Sequence, residues 1–249
     1  MIENENSSFI PLPDRKYVIF TNKDFENSLM KWSMKGRINC ICFGFDQTFK
    51  SYNIGVFIQK FFSDPNVYSQ INERTKLIPC DIEAIPCTLT SMELFTRLNG
   101  TVTRENGRII GSPDEYCNGI IISDELRKML LSDDSSIYDL YSEESRREFL
   151  FQLFKGFVLG GEICQFEEDI TQYLNITKTF YKDIVSVQKN DYGNVMVLSH
   201  IYKIRCKNEK DEIVFPDSSN HENSFAYVII DPLKKHLHLL WHSFGCGHF

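Results

Sequence analysis

The sequence predicts an α+β fold, with a helix-rich N-terminal and middle region packed on a mostly antiparallel C-terminal sheet. Up to about residue 182, apolar side chains recur mainly at helical spacing. Beyond that point apolar and polar side chains alternate. The alternating segments come in pairs, each pair separated by a turn sequence, as in β-hairpins. The chain has 249 residues and is 42% hydrophobic, with 20 Phe and 11 Tyr, which is enough to bury a full core without disulfides or metals.

The predicted domain organisation is a flexible N-terminal tail over residues 1–14 followed by a single α+β domain over 15–249. The tail is polar and contains Pro11 and Pro13, so we expect it to be loose or to form an extended arm. No repeat, low-complexity tract or long linker interrupts the rest of the chain. The change of pattern after residue 181 leaves two closely packed lobes, 15–181 and 182–249, as an alternative.

Four elements are predicted in the N-terminal quarter: a strand over 17–21, a helix over 23–35, a strand over 37–45 and a helix over 54–62. Asn22 is a favourable N-cap for the first helix, and Gly36 is a typical stop signal after it. The strand over 37–45 carries apolar side chains on both faces, which predicts a central position in the sheet.

The middle of the chain is predicted to contain short strands over 76–80, 84–87 and 118–122, a hairpin over 101–110, and helices over 90–98, 123–131, 142–159 and 167–180. Thr90 and Glu93 have the spacing of a capping box. Ser142 is the predicted cap of the longest helix, 142–159. We expect that helix to bury its aromatic stripe, which includes Phe149, Phe154 and Phe157, against the C-terminal sheet.

The last third is predicted to be two hairpins. Segments 184–188 and 195–206 flank a turn sequence at 190–193, and segments 225–230 and 236–242 flank another at 231–235.

The charge of the chain argues against general nucleic-acid binding. It has 27 Lys and Arg against 34 Asp and Glu, a net charge of -7, whereas a nucleic-acid binder needs a basic face. Residues 123–169 hold 12 acidic and five basic side chains. Such a run is typical of a solvated helix face, and contact with a basic partner is the alternative.

Cysteine use and the apolar segments predict a soluble, reduced protein of the cytosol. The eight Cys include no C-x-x-C pair, and the first residues are acidic and polar, unlike a signal peptide. The longest apolar stretch, residues 149–161, contains Gln152 and Lys155 and is too short to span a bilayer. We therefore expect no membrane partner.

Asp46 is the first candidate for chemistry, because it follows the predicted central strand as the nucleophile does in a phosphoryl-transfer aspartate loop. Such loops place a second carboxylate two residues further on to hold Mg²⁺ and act as an acid. Thr48 occupies that position here. We therefore expect Asp46 to order the turn through its carboxylate.

Nucleotide-binding motifs and the nucleophile motifs of hydrolases are absent from the sequence. We therefore predict no catalytic residue and no cofactor.

The C-terminal strand is the second candidate. His236, His238 and His242 share one face at period two, and three imidazoles can form an open zinc site that Cys246 would close, with His248 nearby. Without a carboxylate or Cys pair the pattern is weak, and a half-exposed polar sheet face or a partner contact is the favoured interpretation. The rival functional hypothesis is a metal-dependent or Cys/His enzyme that uses this strand.

Two aromatic-rich stretches are the third candidate: residues 43–52 (FGFDQTFKSY) and 61–67 (FFSDPNV). Aromatic rings together with exposed amides suit protein recognition. Core packing is the alternative, and we expect it for most of these rings.

The order and number of these and further segments make the sequence resemble the cilia- and flagella-associated protein 300 family. The matching segments run in order from about residue 30 to 242: 31–38 (KWSMKGRI), 43–52, 61–67, 122–127 (ISDELR), 147–155 (REFLFQLFK), 159–161 (LGG), 184–187 (IVSV), 220–222 (NHE), 231–232 (DP) and 236–238 (HLH).

The resemblance implies a non-enzymatic protein of motile cilia, found in the cytoplasm and in the axoneme of the cilium or flagellum. It implies a role in the cytoplasmic assembly of outer and inner dynein arms and in their transport to the axoneme. The implied partners are dynein arm assembly factors, among them the PIH-domain co-chaperone kintoun, axonemal dynein subunits and the intraflagellar transport machinery. The resemblance carries over no catalytic residue, cofactor or metal.

Overall fold

A computed structural model describes residues 8–71, 76–219 and 221–245. The strands are β1 (Phe9–Pro11), β2 (Ile38–Phe45), β3 (Ile78–Ile85), β4 (Gly111–Cys117), β5 (Ile120–Asp124), β6 (Val187–Lys189), β7 (Val195–Val197), β8 (His200–Lys207), β9 (Ile213–Phe215), β10 (Phe225–Asp231) and β11 (His236–His242). Seven of them form one antiparallel sheet in the order β1-β2-β11-β10-β8-β3, with β9 beside β8. β4–β5 and β6–β7 are separate two-stranded ribbons.

The helices are α1 (Val18–Thr21), α2 (Lys23–Lys31), α3 (Ile54–Ser63), α4 (Pro65–Ile71), α5 (Glu125–Leu131), α6 (Glu143–Arg147), α7 (Phe149–Leu159) and α8 (Thr171–Ile184). Three short 3-10 helices lie at Ser51–Asn53, Glu93–Leu98 and Tyr138–Leu140. The predicted α+β class, with helices packed on an antiparallel sheet that is largely C-terminal, is confirmed.

The sheet separates two hydrophobic cores. The larger core joins one sheet face to α2, α5, α7 and α8, and the smaller core joins the other face to α3 and α4. β2 contributes Ile38 and Cys42 to the larger core and Phe43 and Phe45 to the smaller one, which confirms its predicted central position. Because β2 and β3 pair with β11 and β8, the boundary between the alternative lobes 15–181 and 182–249 runs through one sheet.

Part of the predicted tail is an edge strand. In β1, Phe9 is fully buried. Its backbone N–H donates to the Asp64 carboxylate over 3.2 Å, and its carbonyl accepts from the Asn66 side chain over 2.9 Å. These hydrogen bonds satisfy backbone groups on the outer side of β1. Unpaired groups at the edge of a sheet could otherwise pair with a strand of another chain. Residues 9–11 are therefore an ordered, extended segment, which agrees with the extended arm and not with the loose tail; residues 1–7 lie outside the described part.

The predicted strand over 17–21 is instead the short helix α1. The Val18 N–H, at its first turn, donates to the Asp183 carboxylate over 2.7 Å, and a carboxylate at that end also complements the helix dipole. The Asn22 cap of α2 is confirmed, since its side chain accepts from the N–H groups of the first turn. α2 ends at Lys31 rather than at residue 35, and Ser33 just beyond it has a positive φ of 56°.

The predicted strands over 76–80 and 84–87 are one strand, β3. Pro79 lies inside it at a register shift on the edge of the sheet, a position where a strand tolerates proline. The predicted capping box is absent: Glu93 begins a 3-10 helix, and its N–H donates to Ser91 Oγ over 3.4 Å. The hairpin over 101–110 is reduced to isolated bridges, one of them Thr103–Ile109.

The longest predicted helix, 142–159, is two helices. Ser142 caps α6 as predicted, but Glu148 then has extended backbone angles and α7 begins at Phe149. The Glu148 carboxylate accepts from the backbone N–H and the hydroxyl of Thr88 over 3.1 and 2.6 Å. This contact, 60 residues away in sequence, accompanies the break in the helix.

The aromatic stripe of α7 is buried, but only part of it faces the sheet. The Phe149 ring lies 5.2 Å from the Tyr227 ring of β10, as predicted. Phe154 instead packs on Phe95 at 4.5 Å, and Phe157 packs on Trp32 at 6.1 Å.

Three further predictions are displaced along the chain. The strand over 118–122 is β5, shifted by two residues because Asn118 and Gly119 form the turn from β4 with positive φ values of 49° and 79°. The helix over 167–180 is α8, and the segment 195–206 is divided into β7 and β8. The pair 225–230 and 236–242 is confirmed as β10 and β11.

Candidate functional site

The three strand histidines share one face, but they do not come together. His236 and His242 are six residues apart on β11, which corresponds to about 20 Å along a strand. Metal ligands must lie within a few ångströms of one another. Across the described residues, no three His, Cys, Asp or Glu side chains are grouped closely enough to hold a metal ion. Cys246 and His248 lie outside the described residues.

The prediction that the histidine face is half-exposed holds for His236 but is wrong for the other two histidines. His238 and His242 are buried beneath the helices of the larger core, with exposures of 6% and 0%. A hydrogen bond of 2.7 Å joins His238 Nδ1 to the Tyr17 hydroxyl. The Nδ1–H of His242 donates to the Asn223 carbonyl over 2.7 Å. Burial lowers the pKa of His238 to about 3 and that of His242 to about 4, so both rings are neutral structural groups at pH 7.

Asp46 is exposed at the end of β2. Its backbone carbonyl accepts a hydrogen bond from Lys235 Nζ over 2.8 Å, so the contact that orders this turn uses the carbonyl, whereas the sequence predicted the carboxylate. Thr48, at the position where a phosphoryl-transfer loop has its second acid, is also exposed.

Most rings of the two aromatic-rich stretches lie in the hydrophobic core, as the core-packing alternative predicted. Phe43, Phe61 and Phe62 are almost fully buried in the smaller core. Their rings meet edge to face, for example Phe43 and Phe61 at 5.2 Å. Tyr52 is the exception, with 82% of its surface exposed.

The cysteines of the described part are free thiols. Burial raises the pKa of Cys42 and Cys164 to about 11 and that of Cys87 to about 12. A thiol with a raised pKa is a poor nucleophile at pH 7. None of the helices in the described part has the length and apolarity needed to cross a bilayer.

The described part also contains a concave, charged surface that the sequence analysis did not predict. It is a cleft of about 230 Å³, here called the charged cleft, lined by Asp81, Glu83, Lys203, Ile204, Arg205, His221, Glu222, Ser224 and Phe225.

The register of β3 and β8 builds the floor of the charged cleft. Glu83 lies opposite Lys203, and Asp81 lies opposite Arg205. Side chains at every second position share a face, so these four continue the same face as Ile201, which belongs to the larger core. The sheet face therefore changes from apolar and covered to charged and open at residue 203.

The rest of the lining comes from the segment 221–225, which contacts α7. Glu222 accepts hydrogen bonds from Lys155 of α7 and, over 3.3 Å, from the Asn118 side chain. Burial raises the pKa of Glu222, but Lys155 and these hydrogen bonds outweigh it, so the net shift is downward. The His221 ring stacks on Phe244 with 3.4 Å between centroids.

Two signals in the sequence point to this cleft. Lys203 and Arg205 alternate with apolar residues in β8, and residues 221–222 belong to a segment that resembles the family. Neither signal shows that β3 lies beside β8, because the pairing of these two strands joins residues about 120 positions apart. Two ion pairs lie at the cleft, Arg205 with Asp81 and Lys155 with Glu222.

Comparison with known proteins identifies relatives along nearly the whole chain. A family model described as "Cilia- and flagella-associated protein 300" matches residues 6–242. A protein of that name from Paramecium tetraurelia is 30% identical over 237 residues, which cover 93% of this chain and 90% of the relative. Another from Chlamydomonas reinhardtii is 26% identical over 253 residues, covering 96% and 98%. No solved structure matches the chain.

Proposed function

Because this chain belongs to the cilia- and flagella-associated protein 300 family, we propose that it acts as a non-enzymatic factor in the cytoplasmic assembly of outer and inner dynein arms and in their transport to the axoneme. Family membership over residues 6–242 is the observation that carries the proposal. The relatives are named for their association with cilia and flagella. The assembly step and the cytoplasmic location are the parts that we propose.

The site chemistry favours binding over turnover. The two buried histidines are neutral and hydrogen-bonded, and burial raises the pKa of several thiols. A catalytic pair needs a nucleophile beside a base with a suitable pKa. The charged cleft instead presents fixed ion pairs, such as Asp81 with Arg205 at 2.9 Å. Such surfaces select partners by complementary charge.

The lengths of the helices argue against a role as a length-spanning structural component of the axoneme. The longest helix in the described part, α8, has 14 residues, far shorter than the coiled coil expected of a protein that spans an axonemal repeat. The proposed partners are dynein arm assembly factors, including the PIH-domain co-chaperone kintoun, axonemal dynein subunits and the intraflagellar transport machinery.

The test is deletion of the gene in the organism's own ciliated or flagellated cell, followed by electron microscopy of axoneme cross-sections. We expect cilia of normal number that beat weakly, with dynein arms missing from intact doublets, and we expect the wild-type gene to restore them. Intact arms with normal beating would contradict the assembly role. Missing doublets or absent cilia would indicate a structural role instead.

Proximity labelling before cilia form tests the partners directly. A labelling enzyme fused to this protein should mark dynein subunits and assembly factors in the cytoplasm. The same enzyme expressed alone is the control, and equal labelling by both would count against the proposed partners.

A further inference from the structure

Among the described residues, one cation that lines the charged cleft has no hydrogen-bond or ion-pair partner. Arg205 donates two hydrogen bonds to Asp81, over 3.2 and 2.9 Å, and Lys155 is paired with Glu222. Glu83 lies 3.7 Å from Arg147.

Lys203 differs from these groups. Within the described part of the chain, its ammonium donates no hydrogen bond and joins no ion pair. Its side chain is partly buried. Burial lowers the pKa of Lys203, and the neighbouring Glu83 only partly opposes the shift. A desolvated ammonium without a partner is unfavourable, and an incoming anion would relieve that cost.

The polar side chains near Lys203 in the cleft already form hydrogen bonds with other parts of the protein, so few of their donors and acceptors are left for a ligand. The His221 ring is engaged at both nitrogens, with Asn118 O over 3.1 Å and with the Asn223 N–H over 3.1 Å. The Ser224 hydroxyl donates to Asp217 and accepts from the Phe244 N–H over 3.0 Å. Because these groups are already ordered, a ligand would not have to order them.

We propose that the charged cleft is a binding site for a carboxylate group, with the ammonium of Lys203 as its ion-pair partner. The cleft volume of about 230 Å³ is many times the minimum of about 10–15 Å³ that holds one water molecule, so it has room for a carboxylate group and the carbon atoms that carry it. Asp81, Glu83 and Glu222 line the same cleft and repel every anion in proportion to its charge. A singly charged carboxylate can gain the ion pair with Lys203 at a smaller repulsive cost than a doubly charged phosphate.

The carboxylate has two possible sources that share this chemistry, a small dicarboxylate in solution or an acidic side chain of a polypeptide. The inference rests on the cleft alone and does not depend on the role in dynein arm assembly. Its failure would leave the deletion experiment unaffected.

The test is a titration of the full-length protein carrying ¹³C at the lysine Cε positions, followed by NMR. Three probes are used: glutarate, an acetylated and amidated Gly-Glu-Gly peptide, and inorganic phosphate. We expect saturable binding of glutarate, the peptide or both in the millimolar range, with the Lys203 resonance shifting and its titration midpoint moving to higher pH. Phosphate should bind at least tenfold more weakly. Glutarate binding without peptide binding would identify a small-molecule site.

Variants of Lys203 make the test specific. Lys203→Met should weaken the binding at least tenfold, whereas Lys203→Arg should keep it within about threefold because the charge remains. Lys210→Met removes an exposed lysine from the turn after β8 and should have no effect. Circular dichroism checks that each variant is folded. Binding that is absent for both carboxylates, tighter for phosphate, or equal in the wild type and Lys203→Met would overturn the proposal.

Discussion

Tyr17 and His238 lie 221 positions apart in the chain, and a hydrogen bond of 2.7 Å joins the tyrosine hydroxyl to Nδ1 of the histidine. The two rings also meet edge to face at 5.7 Å. The contact ties the segment before α1 to β11, an interior strand of the sheet. Burial, followed by the charge of Arg15, lowers the pKa of His238, so the fold depends on a histidine that stays neutral.

We expect the free energy of unfolding to fall as the pH is lowered below about 6.5. The folded-state pKa values of His238 and His242 are about 3 and about 4, against an ordinary value of 6.5. Between these values the unfolded chain binds more protons, so the stabilisation is complete above pH 6.5 and is lost towards the folded-state values. Each histidine should contribute up to about 1.4 kcal/mol per pH unit. Urea unfolding at pH 7.5, 6.5 and 5.5 measures the slope.

Variants separate this effect from general loss of stability. His238→Gln and His242→Gln should each reduce the slope between pH 6.5 and 5.5. Phe43→Leu, which alters the smaller core without changing a titratable group, should lower the stability at every pH and keep the slope. A wild-type stability that is constant from pH 7.5 to 5.5 would contradict the prediction.

Two helical glycines should respond in opposite ways to alanine. A Cβ at Gly55 in α3 would meet no atom within 4 Å, whereas a Cβ at Gly156 in α7 would lie 2.8 Å from the buried ring of Phe225. Gly55→Ala should stabilise by up to about 1 kcal/mol through helix propensity. Gly156→Ala should destabilise by about 1–3 kcal/mol through overpacking. Thermal unfolding compares the two, and a stabilised Gly156→Ala would show that Phe225 moves freely.

The elements that the sequence predicted correctly are those whose pattern is local. β10 and β11 follow from their alternation and the turn between them, and β2 follows from apolar residues on both faces. The missed elements depend on distant partners. β1 is held by Asp64, and the first turn of α1 by Asp183, which no local pattern near residues 9 or 18 announces.

The candidate site shows the same limit. Period two correctly placed the strand histidines on one face, but it could not show that helices cover that face. The strand rise already separates His236 from His242 by about 20 Å, and this argument against a shared metal was available from the sequence. The charged cleft could not be predicted from the sequence, because Glu83 comes to lie opposite Lys203 only through the long-range pairing of β3 with β8.

We expect Asp64 to be necessary for the order of the N-terminal strand. Its carboxylate accepts from the backbone N–H groups of Ser8 and Phe9 over 2.9 and 3.2 Å. Hydrogen bonds to a charged group contribute about 1.5–3 kcal/mol each, so Asp64→Ala should destabilise by at least about 2 kcal/mol. Amide hydrogen exchange at Phe9 should also accelerate. Asp46→Ala, at an exposed carboxylate, is the control, and unchanged protection of Phe9 in Asp64→Ala would refute the assignment.

A final prediction concerns Arg127, which is fully buried in the larger core. Its guanidinium donates to Asp124 over 2.5 Å, to the Val158 carbonyl over 2.9 Å and to the Tyr173 hydroxyl over 3.0 Å. It also lies 3.3 Å from the centre of the Phe166 ring. One planar group therefore joins α5 to α7 and α8.

Arg127→Lys should destabilise by about 3–5 kcal/mol, although it keeps the charge. An ammonium cannot reach these acceptors from one position or stack on the ring, so it would leave buried polar groups unpaired. Asp124→Asn keeps an oxygen that can cap α5 and should cost a similar amount, because it leaves the guanidinium uncompensated. Arg127→Met should also be strongly destabilising, because it leaves the Asp124 carboxylate without its buried partner. In Arg127→Met with Asp124→Asn, the loss should be smaller than the sum of the losses in Arg127→Met and Asp124→Asn alone, since neither charge remains. Urea unfolding of the wild type, these two single variants and the double variant completes the cycle, and additive losses would show that the two side chains act independently.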